Sequence, residues 1–397
     1  MYSPPKEFLY SICNIELVLQ IEVMIMEAVK KEKLKAPLKI GLFDLNENLC
    51  VKIDENFMKN IFSMILSSKL PFYKIAKLLE IDESSLRELK KNPNKKIEIK
   101  TLKKILRFLR ASGRDIIEKD IESKVIWIGN KCGRGITFPK LPFILNSPDF
   151  STILSAVFGD GTITNISYSA PNKYKLGVFE YTNEVEILRK NIIDSCIKVF
   201  GGIYGKDYTE RRNRNTVSVF FPSVIRDVIL MVCNIRGEKS VINPHVPEII
   251  MNSGNKEVWI NWLRQSFDDE GSVRYRNNSN HEIFLTRVSD ITEFFEDSLK
   301  PGIRVMFSKI SKEKQEVVLS HPNNLLFDEM KLLERLGING RIKPQEIYVT
   351  KSGRIKVKWR LYITGKENIR RFYQMIGFKT PKKQMILEKI IGGNNEL

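Results

Sequence analysis

Two apolar runs in this chain each close on an acidic residue followed by glycine, and few folds accommodate such a pair. The first runs from Phe150 through Val157, Phe158 and Gly159 to Asp160 and Gly161. The second runs from Trp259 through Trp262, Leu263 and Phe267 to Asp268, Asp269, Glu270 and Gly271. Each reads as a helix that delivers one carboxylate at its C-terminal end, ahead of a segment able to run as a strand. A unit present twice, with one acid per copy, predicts two carboxylates meeting at a two-fold-like interface. Metal-dependent phosphodiester cleavage needs such a pair.

The chain after each acid follows the same course, and such a repeat predicts two similar halves. In the first copy, strands are expected at 162–168 and 175–182, a helix at 184–200, a hairpin at 203–210 and 216–221, and a helix at 225–233. The second copy has strand candidates at 272–276 and 283–288, a helix at 324–336, strands at 341–349 and 354–363, and a helix at 367–376. A piece at 289–311 has no counterpart in the first copy. The class is mixed α/β, with pseudo-symmetric αββαββα halves at 148–252 and 253–392. Ahead of them come a mainly helical N-terminal domain (a segment of unassigned role at 1–58 and a helical module at 59–120) and a linker at 121–147, in which 125–128 is strand-like. Ser147, Pro148 and Asp149 supply an N-cap, a first helical position and a favourable charge for the first acidic helix.

With 397 residues, 65 Lys and Arg against 47 Asp and Glu, a net charge of +18 and a pI near 9.5, the chain calls for a polyanionic partner. Nucleic acid is the first candidate, because phosphate neutralisation supplies most non-specific affinity. The five cysteines are scattered and unpaired in spacing, which fits a reducing cytoplasm and excludes a disulfide framework. Three histidines far apart exclude a His-based metal site. The apolar stretch at 9–29 is interrupted by Glu16, Glu22 and Glu27, so it reads as a packed helix at about 10–32 and no membrane association is expected.

Residues 70–90 read as a helix-turn-helix, with an apolar stripe of Ile75, Leu78 and Leu79 on its first helix. Its second helix, capped by Asp82 or Ser84, would present Ser84, Ser85, Arg87, Lys90 and Lys91 to a groove. Between Arg87 and Arg110 stand ten Lys or Arg and only two acids. Leu102, Ile105, Leu106 and Leu109 give the next helix its core face. In the repeat, the hairpins alternate apolar with basic residues. Arg211, Arg212, Arg214, Arg274, Arg276, Arg354, Lys356 and Lys358 are therefore expected to face phosphates and base edges.

The paired endings Val157-Phe-Gly-Asp-Gly161 and Phe267-Asp-Asp-Glu-Gly271 resemble those of the LAGLIDADG family, of the dodecapeptide type found in homing endonucleases. The passages from Gly237 to Glu248, from Tyr362 to Asn368 and from Ile376 to Lys383 are also similar, so the resemblance spans about 145–390. It implies two α/β halves whose acidic helices pack at a shared axis while their sheets form a saddle over double-stranded DNA. It further implies that Asp160 and Glu270 bind Mg²⁺, for which Mn²⁺ can substitute, with Gly159 and Asp269 beside them in the metal shell. A basic residue in each half would tune the network of the attacking water: Lys239 in the first, Lys382 or Lys383 in the second. Asp268 and Asp269 otherwise read as a solvated helix end.

The resemblance also sets limits. Gln265 and Asp269 stand where the family carries small residues, which bears on how closely the two helices approach. The chain lacks the Cys or Ser start and His-Asn end of a self-splicing insert and is expected to be free-standing. With both acids in one chain, a monomer suffices for catalysis. The expected activity is site-specific double-strand DNA cleavage. A non-cleaving DNA-binding regulator on the same scaffold, or an RNA-splicing maturase, is the alternative.

Overall fold

The computed structural model describes residues 39–392 except 69, 115, 165–166, 169–173, 176, 205–207, 214–215, 234, 236, 276–280 and 296–299. The helix expected at about 10–32 lies outside the described residues, as do Arg214 and Arg276.

The N-terminal part contains β1 (Lys39–Ile40), β2 (Cys50–Ile53), α1 (Glu55–Leu66), α2 (Phe72–Leu78), α3 (Glu83–Lys91), β3 (Ile97–Glu98), α4 (Ile99–Ala111), α5 (Glu118–Glu122), β4 (Val125–Gly129), β5 (Gly135–Thr137) and β6 (Phe143–Ile144). The segment 121–147, expected as a linker with a strand-like run at 125–128, carries β4, β5 and β6. Strands β3, β2, β4 and β5 form one antiparallel sheet in that order, and β1 pairs with β6. The physical reason is visible in the residues: Val125, Ile128 and Ile136 are apolar and fully or nearly fully buried. They need the apolar faces of β2 and the helices to cover them. The segment is a joint as well, because Thr137 and Gly202 exchange backbone hydrogen bonds of 2.8 and 2.7 Å with the first half.

Helices α2 and α3 are joined by a short turn in which Glu80 takes φ 50°. Ile75, Leu79, Leu86 and Leu89 are buried between them and their neighbours, but Leu78 is 62% exposed and Ala76 takes its place in the stripe. On α4 the expected core face of Leu102, Ile105, Leu106 and Leu109 is buried.

The first half consists of α6 (Pro148–Phe158), β7 (Gly161–Ile163), β8 (Ser167–Tyr168), β9 (Tyr174–Lys175), β10 (Phe179–Asn183), α7 (Glu186–Phe200), β11 (Thr209–Asn213), β12 (Thr216–Phe220) and α8 (Ser223–Cys233). Ser147 caps α6 by accepting from the Phe150 amide at 3.2 Å. Short helices α9 (Lys239–Ile242) and α10 (Glu248–Met251) lead into the second half. That half consists of α11 (Lys256–Glu270), β13 (Gly271–Arg274), β14 (Glu282–Asp290), β15 (Arg304–Met306), α12 (Lys312–Ser320), α13 (Asn324–Arg335), β16 (Arg341–Val349), β17 (Ile355–Thr364), α14 (Lys366–Met375) and α15 (Pro381–Gly392).

The sheet orders are β7-β10-β12-β11 and β13-β14-β17-β16-β15. The first four positions correspond, strand for strand, so the αββαββα rhythm holds in both halves. In β17 burial alternates strictly, with Ile355, Val357, Trp359, Leu361 and Ile363 inward. This period of two leaves one face of the sheet for the core and the other for solvent or a partner.

If β4 is a core strand, Ile128→Ala should destabilise the protein by about 2–4 kcal/mol in urea denaturation, the usual cost of an emptied core site. Unchanged stability would return this segment to the status of a linker.

Candidate active site and nucleic-acid face

Helices α6 and α11 run parallel and in contact. Ser151 Oγ donates to the Val258 carbonyl at 2.6 Å, and one turn later Ser155 Oγ donates to the Trp262 carbonyl at 2.8 Å. Ser155 and Ser266 hydroxyls lie 2.9 Å apart, and Phe158 meets Trp262 edge to face. Small residues on α6 bring its backbone close, and their hydroxyls donate to carbonyls across the interface instead of back-bonding to their own helix. Because the helices are parallel, both C-terminal ends, and so Asp160 and Glu270, arrive at the same level.

At that level the crossing is filled by a polar network. A Cβ on Gly159 would stand 2.3 Å from Asp269 Oδ2, so only glycine leaves room for the aspartate. Asp269 Oδ1 accepts from Tyr181 OH at 2.7 Å and from Gln265 Nε2 at 2.9 Å. Gln265 Oε1 accepts from Asn191 Nδ2 at 3.2 Å. Asn183 Nδ2 donates to Asp160 Oδ2 at 2.7 Å and to Tyr181 OH at 3.3 Å. Gln265 and Asp269 are thus one hydrogen-bonded unit, and the helices remain in contact around it. Asp269 Oδ2 is buried without a partner. Burial, followed by the charge of Asp160, raises the Asp269 carboxyl to about 8. Asp160 is raised to about 6 by burial and then by the charge of Glu270.

Acids at a helix C-terminus oppose the macrodipole, and each helix end here carries a lysine that offsets this. Lys239 Nζ donates to the carbonyls of Val157 (3.2 Å), Gly161 (3.0 Å) and Gly159. Lys383 Nζ donates to the carbonyls of Phe267 (3.1 Å) and Asp268 (2.5 Å). Lys382, its neighbour, is exposed. Burial lowers both amines; that of Lys239 is brought down to about 8, with Arg287 the next cause.

Asp268 corrects the expectation of a solvated helix end. It is buried and accepts from the backbone amides of Lys379 and Thr380 at 2.9 and 3.0 Å. Two other residues were not singled out from the sequence. Asn183 and Arg287 occupy equivalent inward positions on β10 and β14, where they break an apolar alternation, and that break was the legible signal. Arg287 donates to Glu329 at 2.7 Å, to the Phe158 carbonyl at 3.1 Å and to Ser266 Oγ at 3.2 Å, all buried.

Among the described residues no three His, Cys, Asp or Glu side chains form a group able to hold a metal ion by themselves. The charge of Glu270 nonetheless bears on the Asp160 carboxyl. A carboxylate pair suits a hard divalent ion that completes its ligands with water and phosphate oxygens. The Gly159 carbonyl is engaged by Lys239.

A family model described as a LAGLIDADG-like domain matches residues 257–377. The second half is a LAGLIDADG-like domain. No curated protein matches the chain. Similar solved structures include variants of the homing endonuclease I-DmoI, at 14% identity and TM-score 0.34, covering 61% of this chain and 98% of that one. The homing endonuclease I-WcaI bound to its DNA recognition sequence is similar at 16% identity and TM-score 0.32, covering 60% and 85%. The LAGLIDADG homing endonuclease I-SmaMI bound to cleaved DNA is similar at 10% identity and TM-score 0.34, covering 63% and 90%.

On the outward sheet face of the LAGLIDADG-like domain, cations lie over aromatic rings. Arg274 and Arg360 flank Phe284 at 4.8 and 4.6 Å, and Arg341 stands 5.9 Å from Tyr362. Lys358 faces outward beside Glu346 at 3.5 Å. Arg354 and Lys356 are tied to Glu238, the N-cap of α9. In the first half Arg211 covers Phe220 at 5.0 Å and Arg212 is exposed. Ser84, Ser85, Arg87, Lys90 and Lys91 are all exposed along α3, with Arg87 paired to Glu83.

Gly159→Ala should destabilise the protein by about 1–3 kcal/mol through overpacking against Asp269. The double variant Gly159→Ala/Asp269→Gly should lose clearly less than the sum of the singles in thermal or urea unfolding. Additive losses would mean that the two residues do not share the crossing.

Proposed function

We propose that this chain is a site-specific double-strand DNA endonuclease of the homing type, with Asp160 serving one strand and Glu270 the other. The observation that carries this reading is the parallel contact of α6 and α11, which sets one acid from each half at the same level. A lysine stands behind each helix end, and a basic, aromatic sheet face lies alongside. Asp160 and Glu270 would hold Mg²⁺, or Mn²⁺ in its place, which supplies stabilisation of the leaving oxygen and activation of a water. Asn183 fixes the Asp160 carboxylate by its 2.7 Å hydrogen bond. Lys239 and Lys383 would offset the partial negative charge of the helix-end carbonyls and tune the network of the attacking water. The sheet faces bind the duplex, and α3 adds contacts outside the saddle. Both acids belong to one chain, so a monomer can cut both strands.

Asp160→Asn should abolish cutting of a randomised duplex library and genomic DNA in Mg²⁺, while binding to duplex persists. EDTA should have the same effect on the unaltered protein. Cleavage that survives the substitution would sink the assignment. Binding should also weaken with salt, with a slope of log affinity against log salt steeper than about −4, the value for four to five neutralised phosphates. A flat response would argue against extensive backbone contact.

A second reading, a non-cleaving DNA-binding regulator, is favoured by Asp269 and the buried Gln265 at the crossing and by the lysine on the Gly159 carbonyl. Duplex binding indifferent to Mg²⁺, without a nick in either strand, would select it.

A further inference from the structure

The excursion between β14 and α13 has no counterpart in the first half, and it adds a strand to the sheet. β15 pairs antiparallel with β16 in the register Arg304↔Tyr348, Val305↔Ile347 and Met306↔Glu346. The ladder continues through backbone bonds of 3.0 Å from Gly302 to Val349 and from Val349 to Ile303. The segment is anchored from within: Ile291, Phe295 and Val318 are buried, and Phe307 and Ile310 pack on the core.

Register fixes which way its side chains face. Tyr348 is also the partner of Lys356, and Glu346 that of Lys358. Arg304 and Met306 therefore continue two outward rows, Lys356–Tyr348–Arg304 and Lys358–Glu346–Met306, while Val305 follows Ile347 inward. Arg304 lies over the Tyr348 ring at 5.4 Å and 3.6 Å from Glu346, with its side chain 69% exposed. Met306 is half exposed. In the sheet order β15 is the outermost strand, farthest from β13 and the acidic helix end.

We infer that this excursion extends the duplex-binding face of the second half by one strand, with Arg304 as its phosphate contact. The inference rests on the DNA-binding reading of the sheet faces. Adjacent strands lie roughly 4.8 Å apart, against about 3.4 Å of rise per base pair. The second half thus reaches roughly one to two base pairs farther along the duplex than the first. The asymmetry gives the footprint a direction: a long flank over the second half and a shorter one over the first.

The test uses the whole chain and a duplex that it recovers from a randomised library in EDTA. Hydroxyl-radical footprints of the unaltered protein and of Arg304→Ala and Arg304→Glu are compared. The variants should lose protection at the outermost one or two base pairs of one flank and keep it at the centre. Arg304→Ala should make the salt slope shallower by about 0.9. Unchanged thermal unfolding excludes a folding defect in these exposed-site variants. Identical flank protection and slopes in all three proteins would overturn the role of β15 and leave the DNA-binding reading standing. Failure of the unaltered protein to recover or protect any duplex would instead overturn the DNA-binding reading itself, and this inference with it.

Discussion

The parallel contact between α6 and α11 is the constraint on which the rest of the molecule depends. Two helices side by side bring their ends to one level, and Asp160, Asp269, Glu270, Lys239 and Lys383 gather there. The contact is made by Ser151 and Ser155 donating to carbonyls across the interface, and by Gly159 yielding space to Asp269. Each half supplies one helix, so neither half completes the arrangement alone. The sheets are then carried outward on either side, since β7 and β13 follow directly from the two helices.

The two halves share a topology but not their interior chemistry. In the first, Asn183 ties the acid of its own half and joins Tyr181 to the network of Asp269 and Gln265. In the second, the equivalent position holds Arg287, paired with the fully buried Glu329 and bonded to the end of the opposite helix. Burial opposes the Arg287 charge, and Glu329 more than offsets it. Buried ion pairs seldom add much net stability, but removing one partner is strongly destabilising, so such groups fix a unique arrangement. Here Arg287 ties the sheet of the second half to the end of the first half's helix.

The N-terminal part is likewise tied into the frame. Strands β4 and β5 complete a sheet with β2 and β3 and then bridge to Gly202, while Phe143 meets Phe200 edge to face. The exposed residues of α3 are therefore carried on a body whose core is continuous with that of the two halves, not on a tether. Among the described residues, no helix is long and apolar enough to cross a membrane.

The sequence by itself determined the elements of the repeat and the two acids that close its helices, because periodicity, caps and a recurring acid-glycine ending are local signals. It also marked Gln265 and Asp269 as out of place. It did not separate Lys383 from Lys382, since one step along a helix end decides which amine reaches the carbonyls. It misjudged Asp268 and Leu78, and within 121–147 it showed only the strand at 125–128, because the surroundings of the rest come from residues distant in the chain. The union of Asp269 with Tyr181 and Gly159, the Arg287–Glu329 pair and the outward row through Arg304 were decided only by tertiary structure. In each, the partners come from different elements, and pairing register and helix approach, not spacing along the chain, bring them together.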